Sequence, residues 1–304
     1  VVYFLFILGL MGLFFGGEFL VRGASSVARA YRISPMVIGL TIVGFGTSSP
    51  ELLVSLNAAF QGAPAIAIGN VLGSNLANIV LILGLTALVS PVVMSLRQSW
   101  RDFAVMLGAT ALLWVMLLNG SLSRLEGAIL FAGLIGFLAM SFLSGRVEPE
   151  ADAAPVAPVW KSALMTLGGL VVLMVGARLL VDSSTQIART FGISEAVIGL
   201  TVVAVGTSLP ELATSLIAAW RKHSEIAVGN IIGSNIFNLL GILGLTVLVV
   251  PITEVEARFV AVDMPWVMGV SVLLVALAAA LSGVPRWAGA VLLLIYGGYL
   301  SLMA

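Results

Sequence analysis

Apolar residues run through this chain in long unbroken stretches, not at the period of a helix or strand with one face in water. Clustered charge, Gly and Pro interrupt the pattern and divide it into ten segments: 1–21, 35–60, 65–90, 102–119, 125–144, 161–181, 195–220, 225–250, 260–282 and 286–303. A helix rising about 1.5 Å per residue needs about 20 apolar residues to cross hydrocarbon, and the segments are near that length. They are too long and too rich in Leu, Ala, Gly and Val to be the ten-residue alternations of a membrane barrel. The pattern therefore predicts an all-α integral membrane protein with ten transmembrane helices. The first segment is read as a span and not a signal peptide, because it lacks a basic n-region and no A-x-A-like site follows it. The missing initiator Met is read as trimming.

Composition supports this class. Hydrophobic residues make up 60% of the 304 positions and charged residues 9%, against roughly 25% charged in a soluble domain; mean hydropathy is +1.16. Lys+Arg and Asp+Glu both total 14, so no charge imbalance points to nucleic acid. With no cysteine, disulfides, iron–sulfur clusters and thiolate zinc sites are excluded. Basic residues orient the chain. With the N-terminus outside, the inner loops hold Arg22, Arg29, Arg32, Arg97, Arg101, Arg146, Lys161, Arg221, Lys222 and Arg286, and the outer loops only Arg124, Arg178, Arg189 and Arg258. Ten against four places both termini on the extracytoplasmic side of a plasma (inner) membrane.

The chain also repeats itself. Residues 33–91 align with 193–251 at a constant offset of 160, with 34 identities in 59 positions. Each copy carries five spans, and an odd number inserts the second copy upside down. The expected organisation is a first five-helix repeat over 1–145, a cytoplasmic Pro/Ala-rich acidic linker over 146–159, and an inverted repeat over 160–304. Two inverted halves supply two related gates around one midplane site, as in transporters.

Polar residues concentrate in two paired stretches. Gly46-Thr47-Ser48-Ser49-Pro50-Glu51 with Ser55 matches Gly206-Thr207-Ser208-Leu209-Pro210-Glu211 with Ser215. Gly69-Asn70 and Gly73-Ser74-Asn75 with Asn78 match Gly229-Asn230 and Gly233-Ser234-Asn235 with Asn238. Glu51 and Glu211 lie too deep to snorkel, and a mid-membrane carboxylate is functional by default. Pro50 and Pro210 each lack an N–H, which frees a carbonyl one turn back and kinks the helix. Carboxylate, hydroxyl, amide and carbonyl oxygens, without nitrogen or sulfur, suit a hard cation such as Ca²⁺, which takes 6–8 oxygen ligands. The pairs Gly69/Gly73 and Gly229/Gly233 have small-xxx-small spacing that predicts close helix packing. Gly9, Gly12, Gly16 and Gly17, with Gly168, Gly169 and Gly176, leave smooth faces suited equally to sliding helices or to lipid. His223, between basic residues in a loop, is read as a surface residue.

In these motifs the chain closely resembles the Ca²⁺/cation antiporter superfamily, and within it the prokaryotic Na⁺/Ca²⁺ exchanger branch. The resemblance spans essentially the whole chain. It implies that spans two, three, seven and eight enclose the ion sites while spans one and six slide across them. It further implies Glu51 and Glu211 as shared Ca²⁺ and Na⁺ ligands, and Ser48, Ser208, Ser74 and Ser234 as Na⁺ ligands through their hydroxyls. Backbone carbonyls of Thr47 and Thr207 would serve Ca²⁺, those of Gly44 and Ala204 would serve Na⁺, and Asn78 and Asn238 would flank the central site. Some relatives, including K⁺-dependent ones, carry Asp where this chain has Asn238. The H⁺/Ca²⁺ branch carries a glutamate inside the GN stretch, where this chain has Val71-Leu72-Gly73-Ser74 and Ile231-Ile232-Gly233-Ser234.

The expected function is a Na⁺-driven Ca²⁺ antiporter working by alternating access. H⁺/Ca²⁺ exchange is the nearest alternative, and a cation channel a more distant one. No H-E-x-x-H, no Cys and no buried His speaks for an intramembrane enzyme. No cofactor is expected; the partners are the transported Ca²⁺ and Na⁺ ions and the lipid bilayer, with neither nucleic acid nor an obligatory protein partner.

Overall fold

A computed structural model of the chain describes residues 1–144, 158–192 and 206–302. Most of the expected linker, the first part of the span at 195–220 and Ala204 lie outside them. Helix dominates: α1 (Val2–Tyr31), α2 (Pro35–Thr47), α3 (Ser49–Phe60), α4 (Pro64–Val89), α5 (Leu96–Leu117), α6 (Arg124–Ser144), α7 (Val159–Thr190), α8 (Leu209–Trp220), α9 (Ser224–Val249), α10 (Phe259–Leu281) and α11 (Arg286–Ser301). Among the described residues seven of these are long and apolar enough to cross a membrane, or up to eight if α2 and α3 form one bent span. At 16 residues α11 is short for a span, and α8 continues a segment only partly described.

Local chemistry sets the boundaries. Ser34 caps α2 by accepting from Val37 N–H (3.2 Å). Ser123 and Glu126 form a capping box at α6, with Ser123 N–H donating to Glu126 Oε2 at 2.7 Å and Glu126 N–H to Ser123 Oγ at 3.3 Å. Pro64 opens α4 where a missing N–H costs nothing. The span expected over 35–60 is broken. α2 and α3 meet at 45° around Ser48, two residues before Pro50, as the missing proline donor predicts.

α1 and α7 are longer than the expected 1–21 and 161–181, at 30 and 32 residues. Charge marks the expected ends of these spans, but the helices continue through it because their polar groups find partners. Glu18 is buried and ion-paired with Arg22 and with Arg221 at the end of α8, whose Nη2 lies 2.7 Å from Oε1 and whose Nε donates to Oε2 at 2.9 Å. The two helices run antiparallel in backbone contact. A methyl group on Gly9 would lie 2.7 Å from Leu180 N, on Gly12 2.8 Å from Gly176 Cα, and on Gly16 2.5 Å from Leu173 N. Gly169 and Gly176 complete the seam from the other side, and Ser162 Oγ donates to Ser26 Oγ at 2.8 Å near its end. These glycines face a partner helix, not lipid; Gly168 alone among them has no described atom within 4 Å of such a methyl.

α4 and α9 form the centre. Their most apolar stretches are 78% and 89% buried, against 28–39% for α1, α5, α6, α7 and α10. Each switches to π-helix midway, over Ala77–Ile82 and Phe237–Leu243. Backbone pairs tie loops together: the two-residue strands β1 (Val92–Val93) and β2 (Gly283–Val284) are antiparallel, and Leu122 bridges Ile252. At the start of α10, buried Asp263 accepts from Tyr299 Oη of α11 at 2.8 Å and has Arg258 Nε 3.5 Å away.

Candidate functional site

The bend between α2 and α3 sets the site. Ser48 leaves the helical geometry (φ −84°, ψ 5°), and Ser208 at the equivalent place before α8 has φ −88° and ψ 5°. Each break turns a serine hydroxyl towards the opposite half of the chain. Ser48 Oγ donates to Glu211 Oε1 at 2.8 Å, and Ser208 Oγ reaches Glu51 Oε1 at 3.5 Å. Both glutamates are only 1% exposed, so the structure brings Glu51, Glu211, Ser48 and Ser208 into one buried cluster.

Asparagines of the central helices brace this arrangement. Asn70 Nδ2 donates to the Glu51 carbonyl (3.1 Å) and to Ser55 Oγ (2.9 Å). Asn230 Nδ2 does the same for the Glu211 carbonyl (3.3 Å) and Ser215 Oγ (2.9 Å), and Asn230 Oδ1 accepts from Thr47 Oγ1 at 3.1 Å. Ser55 and Ser215 thus anchor helices to one another. Sequence reading placed Asn70 and Asn230 in the motif without a task; their identity in both repeats was the available signal. The pairing of Glu18 with Arg221 was missed, although an acid within an apolar run with Arg22 four residues on is itself a helical pairing signal.

The other expected residues fall as follows. Ser74, Ser234, Asn78 and Asn238 are all buried on α4 and α9. The Gly44 carbonyl accepts from Ser48 N–H (3.1 Å) and Thr47 Oγ1 (3.3 Å). Thr47 is buried and Thr207 half-buried; Ala204 is outside the described residues. The Gly229/Gly233 pair meets its packing expectation, since methyl groups there would lie 2.5 Å from Met36 O and 2.6 Å from Leu40 Cα. At Gly69 the nearest such contact is Phe259 at 3.7 Å, and at Gly73 none occurs among the described residues. His223 precedes α9 and is half-buried, less exposed than expected.

Five oxygens in this region are buried without a hydrogen-bond partner: Glu51 Oε2, Glu211 Oε2, Asn78 Oδ1, Asn238 Oδ1 and Ser234 Oγ. Leaving buried acceptors unsatisfied is costly, and a cation is the group that satisfies many at once. Two carboxylates and neutral oxygens match a hard cation. No cluster of three or more His, Cys, Asp or Glu that could hold a metal occurs among the described residues; the carboxylates brought together here are one from each half, Glu51 and Glu211.

Comparison with known proteins gives consistent matches. The profile of the family described as "Sodium/calcium exchanger protein" matches residues 1–143 and 161–304. The putative antiporter CaxA of Alkalimonas amylolytica is 42% identical over 254 residues, 81% of this chain and 80% of that protein. The sodium/calcium exchanger MaX1 of Methanosarcina acetivorans is 33% identical over 340 aligned positions, covering 98% and 97%. A solved structure of the sodium-calcium exchanger NCX_Mj, soaked with Na⁺ and without Ca²⁺, superposes with a TM-score of 0.88 at 36% identity over 99% of this chain and 98% of that one.

Proposed function

Because the chain belongs to the sodium/calcium exchanger protein family, within the Ca²⁺/cation antiporter superfamily, we propose that it exchanges Na⁺ for Ca²⁺ across the plasma membrane by alternating access. The observation that carries this is the buried cluster in which each half of the chain contributes one glutamate and one serine to the other. Two carboxylates balance one divalent ion or part of a set of monovalent ones, so Ca²⁺ and Na⁺ compete for the same oxygens. An empty pocket holding two buried charges is costly, which makes the transition favourable only when ions are bound. Glu51 and Glu211 are the shared ligands in this reading. The hydroxyls of Ser48, Ser208, Ser74 and Ser234 and the carbonyls of Gly44 and Ala204 serve Na⁺. Thr47 and Thr207 carbonyls serve Ca²⁺, with Asn78 and Asn238 beside them.

The architecture proposed with it is ten helices in two inverted halves, 1–145 and 160–304, joined by a cytoplasmic linker over 146–159, with both termini outside. Loop contacts support this. The 92–93 and 283–284 strands pair, and Arg22 and Arg221 share Glu18; alternation assigns each of these pairs to the inner side. Leu122 and Ile252 bridge on the outer side. Na⁺ is favoured over H⁺ as the driving ion because the two glutamates have no carboxylate neighbour in either GN stretch.

The test is uptake of radiolabelled Ca²⁺ into proteoliposomes at clamped pH. Uptake with internal Na⁺, and none with internal K⁺ or choline, is expected. Uptake indifferent to Na⁺ but driven by a pH gradient would assign H⁺/Ca²⁺ exchange instead, and uptake requiring neither gradient would assign a channel.

A further inference from the structure

Four asparagines at the crossing of α4 and α9, Asn75, Asn78, Asn235 and Asn238, are each 1% exposed. Their hydrogen bonds run between the halves. Asn75 Nδ2 donates to the Asn235 carbonyl oxygen (3.2 Å), Asn238 Nδ2 to Asn75 Oδ1 (3.0 Å), and Asn78 Nδ2 to Asn235 Oδ1 (3.0 Å). One of these bonds fixes the sense of the others. A backbone carbonyl can only accept, so Asn75 must turn its NH₂ group to Asn235. Its own oxygen then faces Asn238, which has to answer with its NH₂ group. The Asn238 oxygen is left pointing elsewhere, and it is buried with no partner. Asn235 treats Asn78 likewise, and the Asn78 oxygen is also buried and unpartnered. The two arms differ in one respect: Asn235 Nδ2 has no partner, so its arm lacks the backbone anchor that Asn75 has.

We propose that Asn75 and Asn235 are positioning residues that set the carboxamide orientation of Asn238 and Asn78 across the two halves, so that an oxygen and not an NH₂ group faces the bound cation. This rests on the reading that Asn78 and Asn238 line the ion site. A carboxamide rotated by half a turn presents donors to a cation and repels it, so the positioning bond decides whether Asn238 attracts or opposes the ion. Asn75 acts here through its neighbours, its amide donating to the Asn235 carbonyl and accepting from Asn238. The anchored arm makes Asn75 the more important of the two. Both helices turn from α to π within two residues of these positions, a local irregularity frequent at functional sites.

The experiment is a double-mutant cycle on the purified full chain, read as the Ca²⁺ dissociation constant in Na⁺-free detergent buffer and as ion-free thermal stability. Asn75→Leu is expected to weaken Ca²⁺ binding about tenfold, the range of outer-shell partners of metal ligands, and Asn238→Leu at least as much. The double variant should bind as Asn238→Leu does, because Asn75 acts through Asn238. A residue with only a structural role would lower stability and multiply the effects. Unchanged affinity in Asn75→Leu beside weakened affinity in Asn238→Leu, or a product of the two effects in the double variant, overturns the proposal. Unchanged affinity in both Asn238→Leu and Asn78→Leu instead refutes the ligand reading beneath it. Should Asn75→Leu not fold, the Asn235→Leu and Asn78→Leu cycle makes the same test on the other arm, with a smaller expected loss for Asn235→Leu.

Discussion

Gly168 and Gly169 are neighbours on α7, yet the same added methyl group should have opposite consequences. At Gly168 no described atom lies within 4 Å of it. At Gly169 it would press on Leu20 N and stand 2.8 Å from Gly16 O and 2.9 Å from Phe19 C, all backbone atoms of α1. Backbone cannot rotate aside as a side chain can. Restoring ordinary contact means separating the helices by about 1 Å, and overpacking of this kind costs about 1–3 kcal/mol. Alanine gains up to about 1 kcal/mol over glycine in helix propensity, a term common to both sites. Gly169→Ala should therefore be less stable than Gly168→Ala by about 1–3 kcal/mol, a difference of about 2–6 °C in Tm at roughly 2 °C per kcal/mol. Thermal unfolding of both variants in one detergent, followed by loss of the monodisperse peak, measures this. Equal midpoints, or a lower one for Gly168→Ala, would refute the close-packed seam.

Two other perturbations follow from the buried charges. Glu211→Gln removes one of the two carboxylates that balance Ca²⁺, and loss of a buried charge partner costs about 3–5 kcal/mol. Ca²⁺ uptake by that variant at low micromolar concentration should fall by at least about a hundredfold, and near wild-type uptake would contradict the shared-ligand mechanism. Arg221→Gln leaves Glu18 paired with Arg22 alone. Because the Arg221 side chain is 40% exposed, the cost should be about 1 kcal/mol, well below that of a fully buried pair. Adding Glu18→Gln should recover part of it, and a Tm unchanged in the single variant would count against the contact.

Much of this was legible in the residues. Glu51 and Glu211 stand out because charge in an apolar run is costly, and the break near Ser48 because Pro50 cannot donate. The 160-residue offset identified equivalent residues, but it could not say that Ser48 serves Glu211 while Ser208 serves Glu51. Such an exchange depends on how the halves interlock, which periodicity does not encode. That α1 continues to Tyr31 was not legible for a related reason. Glu18 and Arg22 resemble span-ending charges until Arg221, some two hundred residues away, is brought beside them. The glycines of α1 suggested a smooth face, yet only their register against Gly169 and Gly176 shows what that face meets.

The exchange of hydrogen bonds between halves also bears on how the chain is made. Synthesis delivers Glu51 and Asn78 to the bilayer before Ser208 and Asn235 have been made. During that interval Glu51 has no Ser208, and Asn78 has no Asn235, to donate or accept. A carboxylate without its donor is costly in hydrocarbon, so the first half is less stable alone than in the complete chain. A released fragment ending at residue 144 should therefore be destroyed by protease or detergent challenge, and resistance should appear only in chains that extend through α8 and α9.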